Sequence, residues 1–346
     1  MHKRARLILV LSALALLGLL VTPEVARADP PTPLNPLTSG GESIRNLFNL
    51  VLIPALVVFF GVEGAILYVV LRYRRRPGTV AEPAQIHGHT RLEVAWTLAP
   101  AAVLAMLFFW TVQTLESVQA VPPDALRVEV IGHQWWWEFR YPDLEITTAG
   151  ELVVPVGKPV RFDITSADVI HSFWVPELAG KVDAIPGQVN VTWVEINEPG
   201  EYAGGRGRDE HLHGQCAEFC GMAHAYMLLR VKALPPAEFE AWVERQQAPA
   251  PEELTGLAAQ GRDLFVNGFC QACHTIRGTS AQGSIGPDLS HFASRDLLAS
   301  FLDNTPENLR AWIADPPAVK PGTKMPKYLL SPEEIDALVT FLKAME

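Results

Sequence analysis

The chain carries no excess of basic charge: 28 Lys and Arg face 38 Asp and Glu, for a formal net charge of −10. That balance excludes nucleic-acid binding by bulk electrostatics. Cysteine is scarce, with four in 346 residues. All fall in two close pairs, Cys216/Cys220 and Cys270/Cys273, each with a histidine at ligand spacing. This pattern argues against an exported binding protein stapled by two disulfides and for two sites that hold a metal or a prosthetic group. There is no low-complexity tract and no internal repeat beyond the Cys pairs. A chain of this length divides into two or more domains.

The N-terminus reads as a secretory signal over residues 1–28. Lys3, Arg4 and Arg6 precede an apolar run from Leu7 to Val21, and Ala26-Arg27-Ala28 offers a cleavage site. The run is shorter than the ~20 residues of an ordinary span, which favours cleavage over an uncleaved anchor. In the segment 29–120, two longer apolar runs follow, Leu47 to Leu71 and Val94 to Leu115, each long enough to cross a bilayer. The first holds one charged residue, Glu63, and the second none. Between them lies Arg72-Tyr73-Arg74-Arg75-Arg76, which the positive-inside rule places in the cytoplasm. Both far ends of this transmembrane hairpin therefore face out, in agreement with the signal. Glu93 opens the second span near the cytoplasmic side, and an ionisable residue there is a candidate for function.

From about Asp124 the texture changes. Leu126 to Ile131 alternates as a half-buried strand, and 151–156, 160–164, 190–196 and 228–231 are further strand-like runs punctuated by Pro and Gly. Residues 121–246 thus read as a β-sandwich or barrel. Ala248-Pro249-Ala250-Pro251 makes a stiff linker over 247–252. Residues 253–346 are helical, and Ser331-Pro332-Glu333-Glu334 predicts a capping box at the start of the last helix.

Two sites carry chemistry. In the first, Cys216, Cys220 and His224 alone suit zinc, but Met227 adds a thioether, a soft ligand suited to copper. Two thiols suggest two coppers bridged by both sulfurs, which requires a second imidazole. His171, in a β-type stretch, is the best candidate; His211, His213 and Met222 are weaker rivals. In the second, Cys270-Gln271-Ala272-Cys273-His274 reads as covalent c-type haem attachment with His274 as proximal ligand. Met325 is the expected sixth ligand; the rivals are His291 and Met345, the latter expected to fray at the C-terminus. The run Trp135-Trp136-Trp137-x-Phe139-x-Tyr141 reads first as core packing on alternate faces of a strand.

On four motifs the chain resembles subunit II of the haem-copper cytochrome c oxidases. They are Gly132-His133-Gln134-Trp135-Trp136-Trp137, His171-Ser172-Phe173-x-Val175-Pro176, Lys181-x-Asp183-Ala184-Ile185-Pro186-Gly187, and Cys216-x-Glu218-x-Cys220-Gly221-x-x-His224-x-x-Met227. The resemblance implies a multidomain protein with a two-helix transmembrane anchor and an all-β cupredoxin domain, a Greek-key sandwich holding binuclear copper (CuA). It implies that Cys216 and Cys220 bridge the coppers, that His171 and Met227 complete one, and that His224 and the Glu218 carbonyl complete the other. It further implies that the Glu218 side chain reaches a Mg2+ site shared with subunit I. Trp135 would be an exposed tryptophan through which electrons arrive, and Glu93 the cytoplasmic entrance of a proton path. The stretch between Gly200-Glu201-Tyr202 and Cys216 is longer than the family's and reads as a surface insertion.

Gly286-Pro287-Asp288-Leu289 resembles the proximal loop of class I cytochromes c, so 253–346 resembles a whole all-α cytochrome c. A fused cytochrome points to the caa3 branch, in which a short tether holds the donor at roughly millimolar effective concentration. The implied partners are subunit I and the other oxidase subunits, membrane lipid, and a cytochrome c or reductase complex as donor, with no nucleic acid. The implied place is the bacterial plasma membrane, crossed twice, with both redox domains on the periplasmic side. Oxygen reduction and proton pumping would lie in subunit I. A quinol-oxidase subunit would lack the copper ligands, and a nitrous-oxide-type reductase would bring a large catalytic domain. A membrane-tethered copper/haem carrier acting without subunit I is the alternative, and Glu93, Asp183 and Glu218 together argue against it.

Overall fold

The computed structural model describes residues 33–74, 85, 87–202, 214–251 and 253–346. The signal reading of 1–28, Arg75 and Arg76 of the basic loop, and the rival ligands His211 and His213 lie outside the described residues. Two long helices come first, α1 (Ser39–Tyr73) and α2 (Thr90–Gln119), both apolar enough to cross a membrane. The 35 residues of α1 span about 50 Å at ~1.5 Å per residue, more than the ~30 Å of a hydrocarbon core, so its ends project. Pro54 and Pro100 sit inside without ending either helix.

The hairpin is tied to the next domain at the N-terminal end of α1. The Thr38 hydroxyl caps α1 by accepting from the Gly41 N–H at 3.0 Å and donates to the Leu178 carbonyl at 2.5 Å. The Leu37 N–H donates to the Glu177 carbonyl at 2.8 Å.

The middle domain is a two-sheet β-sandwich. Its strands are β1 (Leu126–His133), β2 (Trp136–Tyr141), β3 (Ile146–Ala149), β4 (Glu151–Pro155), β5 (Val160–Ser166), β6 (His171–Trp174), β7 (Val182–Ala184), β8 (Asn190–Val194), β9 (Gly200–Tyr202), β10 (Gly214–Cys216) and β11 (Leu228–Leu234). One sheet runs β3-β2-β1-β5-β8; the other runs β4-β11-β10-β6-β7, with β9 added beside β11. Alternation in β1 buries Val128 and Val130 and turns Arg127 outward, where it pairs with Asp163 at 2.7 Å. Phe173 centres the core, with the rings of Trp137, Phe162 and Phe139 at 5.5, 5.8 and 6.4 Å. Tyr141 is wholly buried, and its hydroxyl donates to the Val153 carbonyl and accepts the Val153 N–H. The domain closes with a helix that was not expected, α3 (Pro236–Gln247). Its stripe of Phe239, Trp242 and Gln246 is buried, with Trp242 on Tyr141 at 5.4 Å. Four charged residues dilute that stripe in the sequence.

The last domain is built on α4 (Gly256–Asn267), α5 (Pro306–Ala314), α6 (Pro316–Val319) and α7 (Pro332–Leu342). A short ladder, β12 (Leu297–Leu298) with β13 (Leu302–Asp303), interrupts the helices. α4 packs on α7 with Phe265 and Phe341 at 5.7 Å. The capping box forms as expected: the Glu334 N–H donates to Ser331 Oγ, and the Ser331 N–H to Glu334 Oε2. Met345 does not fray. It is fully buried in the core, and its carbonyl accepts from the Ala293 N–H at 2.6 Å.

The β-sandwich and the last domain are seated on one another. The buried Glu151 carboxylate of β4 accepts the Asp296 and Leu297 N–H groups at 2.6 and 2.7 Å and pairs with Lys232 at 3.0 Å. Lys232 also reaches Asp296 at 2.5 Å, Arg230 reaches Asp303 at 3.0 Å, and Arg277 donates to the Gln247 and Glu145 carbonyls.

Candidate functional site

The first site forms where two strands and one loop converge. β10 pairs with β6 so that Cys216 lies opposite Phe173, which brings Cys216 beside His171. Met227 immediately precedes β11, and the Cys216 N–H donates to the Met227 carbonyl at 3.0 Å, which closes the ligand loop. The Cys216 and Cys220 sulfurs are 3.8 Å apart, too far for the ~2.05 Å of a disulfide. His171 Nδ1 is 3.8 Å from Cys216 Sγ, His224 Nδ1 is 3.4 Å from Cys220 Sγ, and Met227 Sδ is 3.8 Å from Cys220 Sγ. The Glu218 carbonyl is 3.1 Å from Cys216 Sγ, while its side chain is exposed. Donor atoms of His171, Cys216 and Cys220 lie within 4.8 Å of one another, and all three residues are buried.

The electrostatics suit a cation. Contact with Cys220 pulls the Cys216 thiol down in pKa against burial, with His171 adding to the pull, and the same contact pushes Cys220 up. A metal held by both sulfurs would displace their protons. Two thiols, two imidazoles, a thioether and a carbonyl converging on one buried point fit a pair of soft ions.

Three residues hold His171, of which Asp168 and Ser166 lie outside the four sequence motifs. Gly132 leaves room for the ring: a Cβ there would sit 2.7 Å from His171 Cδ2. Asp168 Oδ1 accepts from His171 Nε2 at 2.9 Å, which turns Nδ1 toward Cys216. Ser166 Oγ accepts the Asp168 N–H at 3.1 Å. Burial opposes the Asp168 charge, but His171, the Gln134 and Val169 N–H groups and Lys324 outweigh it and hold the carboxyl at about 2. Burial likewise opposes a charge on His171, yet Cys216 and Asp168 raise its pKa. A carboxylate three residues before a ligand histidine was the only sequence signal available.

The second site is an apolar cavity of about 200 Å³ that gathers Cys270, Cys273, His274 and Met325 on its wall. His274 Nδ1 donates to the Pro287 carbonyl at 2.8 Å; a carbonyl only accepts, so Nε2 carries the free lone pair. Burial pushes His274 down in pKa and keeps it neutral, as an iron ligand must be. The proximal loop closes tightly, since a Cβ on Gly286 would lie 2.5 Å from His274 Cε1. Attachment cysteines, a neutral histidine with a fixed tautomer and a thioether on one apolar wall fit a c-type haem. His291 points elsewhere: its Nδ1 meets the Glu346 carbonyl, and it does not line the cavity.

Trp135 differs from the expectation. It is 8% exposed, because the cytochrome-like domain covers it, and it lines the cavity. Its indole N–H donates to the Cys220 carbonyl at 3.1 Å, an acceptor shared with Gln134 Nε2 at 2.8 Å. Lys320, also absent from the sequence reading, donates to the Trp135 and Ala299 carbonyls at 2.6 and 2.8 Å. Burial pushes Lys320 down to about 7. Trp136 stacks on His133 at 4.2 Å and Trp137 is in the core. Met222 is exposed near Gly322 and takes no part in the ligand set. Asp183 is exposed on β7. Glu93 is exposed in the first turn of α2, where Oε1 accepts the His89 N–H at 3.1 Å.

Comparison with known proteins follows the same division. Residues 37–114 match the family described as Cytochrome C oxidase subunit II, transmembrane domain; 144–234 match its periplasmic domain; and 258–346 match Cytochrome c. The chain is 38% identical to cytochrome c oxidase subunit 2 of Alkalihalophilus pseudofirmus over 87% of this chain and 86% of the relative. It is 33% identical to the Bacillus subtilis subunit 2, over 90% and 92%. The solved periplasmic domain of subunit II from Bradyrhizobium japonicum is 34% identical over 37% of this chain and 97% of that one, with a TM-score of 0.33.

Proposed function

Since the chain belongs to the cytochrome c oxidase subunit II family and carries a fused cytochrome c domain, we propose that it is the electron-accepting subunit of a caa3-type oxidase. In this reading a cytochrome c or a reductase complex would be the donor to the haem c, and CuA the chain's outlet toward haem a in subunit I. Haem c and CuA each supply a one-electron redox couple when bound. Oxygen reduction and proton pumping belong to subunit I. The redox domains lie on the periplasmic side of a bacterial plasma membrane.

The chain's own residues hold and orient these groups. Cys216, Cys220, His171, His224, Met227 and the Glu218 carbonyl would hold the copper pair. Cys270 and Cys273 would fix the porphyrin, and His274 and Met325 would hold its iron. Trp135 stands between the cavity and the Cys220 carbonyl, so one side chain joins the two sites. That contact is the observation that carries the proposal. The exposed Glu218 carboxylate is free to face subunit I and share Mg2+ there. Glu93 opens α2 where a proton path into subunit I would begin.

The test is metal and haem analysis with EPR on the full chain in detergent. The expected result is two coppers and one covalent haem per chain, with a mixed-valence copper signal. A mononuclear blue-copper spectrum would overturn the ligand assignment. Purification of a fully functional chain with no haem-copper partner would favour the tethered carrier instead.

A further inference from the structure

Asp168 belongs to neither ligand set, yet it touches both sides of the seam. Oδ1 accepts from His171 Nε2 at 2.9 Å and from the Val169 N–H at 2.8 Å. Oδ2 accepts from the Gln134 N–H at 2.8 Å and from Lys324 Nζ at 3.1 Å. Lys324 lies 156 residues away in the other domain and directly precedes Met325. One carboxylate therefore connects a copper ligand, the peptide that leads into Trp135, and the loop that carries the haem methionine.

We propose that Asp168 is a positioning residue that couples the two redox sites: through Lys324, seating of the cytochrome domain is registered at His171 and hence at the copper pair. The inference rests on the CuA reading above.

The physical basis is the behaviour of a carboxylate behind a metal-bound histidine. Accepting the distal N–H fixes the tautomer and makes the imidazole a stronger donor, which favours the oxidised metal. An ammonium on the same carboxylate withdraws part of that effect. His171 is 0% exposed, so water does not compete with Asp168 for Nε2. Lys324 reaches Oδ2 only when the cytochrome domain is seated. Seating therefore makes the copper pair easier to reduce at the moment its donor is in place. With both groups bound, one electron would leave the haem and one would enter the copper pair, with no bond made or broken.

The test is a redox titration of the copper signal in the full chain, as wild type, Lys324→Met, Lys324→Arg, Asp168→Asn and the Lys324→Met/Asp168→Asn double variant. At a fixed ambient potential, Lys324→Met is expected to lower the reduced-to-oxidised copper ratio about two- to fivefold, the range for a partly exposed ion pair. Lys324→Arg restores it. Asp168→Asn alters the copper EPR spectrum through His171 and weakens copper binding about 10- to 100-fold. In that background Lys324→Met has no further effect on the ratio. Equal shifts from Lys324→Met in both backgrounds, or no shift in either, would overturn the coupling alone. Absence of a binuclear copper signal in the wild type would overturn the CuA reading, and the coupling with it.

Discussion

Glu151 decides whether the cytochrome domain stays seated. Its carboxylate is 4% exposed and accepts two backbone N–H groups from the other domain, Asp296 at 2.6 Å and Leu297 at 2.7 Å, while Lys232 pairs with it at 3.0 Å. Hydrogen bonds to a charged group contribute about 1.5–3 kcal/mol each, so Glu151→Ala removes about 3–6 kcal/mol of gross contact across the seam. Lys232 keeps its pair with Asp296 at 2.5 Å, which offsets part of the loss. A net cost of about 3–4 kcal/mol corresponds to a fall of about 100- to 1,000-fold in the seating equilibrium. Glu151→Gln keeps one acceptor oxygen and costs about half as much. Amide hydrogen exchange reads this at the bonds themselves. The Asp296 and Leu297 amides are expected to exchange faster in Glu151→Ala by the same 100- to 1,000-fold, and proteolytic cleavage in the Ala248–Pro251 linker to rise with them. Equal protection of those two amides in variant and wild type would refute the reasoning and place the hold on the domains elsewhere.

Other predictions follow from the same contacts. Lys320 has a folded pKa of about 7 against an ordinary 10.5, so between those values the unfolded chain binds the extra proton and stability rises with pH, by up to about 1.4 kcal/mol per unit. Lys320→Met is expected to flatten the pH profile of thermal unfolding between pH 7 and about 10; a slope unchanged from wild type would show that Lys320 is not the titrating group. Gly132→Ala places a Cβ 2.7 Å from His171 Cδ2, and the resulting overpacking should cost about 1–3 kcal/mol and perturb the copper EPR signal, measurable by denaturant melts and spectroscopy. Met325→Ala is expected to lower the haem reduction potential and leave copper content at wild-type level; an unchanged potential would remove Met325 from the ligand set. Cys220→Ser breaks the dithiol and is expected to abolish the binuclear signal while covalent haem content stays the same.

Much of the fold and of the sites was legible because the signals are local. Cys216 to Met227 and Cys270 to His274 each pack most of their candidate donors into one short loop, while His171 and Met325 lie far off in the chain. The apolar runs behind α1 and α2 and the capping box at Ser331 are local in the same way. α3 was missed because its buried stripe is set among charged side chains, and only its packing on Tyr141 reveals the stripe. Trp135 was expected at the surface because no single domain's sequence says what the other domain covers.

From sequence alone came the order of the domains, the two ligand loops and the membrane hairpin, all written within a few residues or turns of chain. Tertiary structure alone decided what lies between the loops. Lys320 on the Trp135 carbonyl and Lys324 on Asp168 join residues 185 and 156 positions apart. Contacts at such separation depend on how two cores seat against each other, and no local period or spacing encodes that.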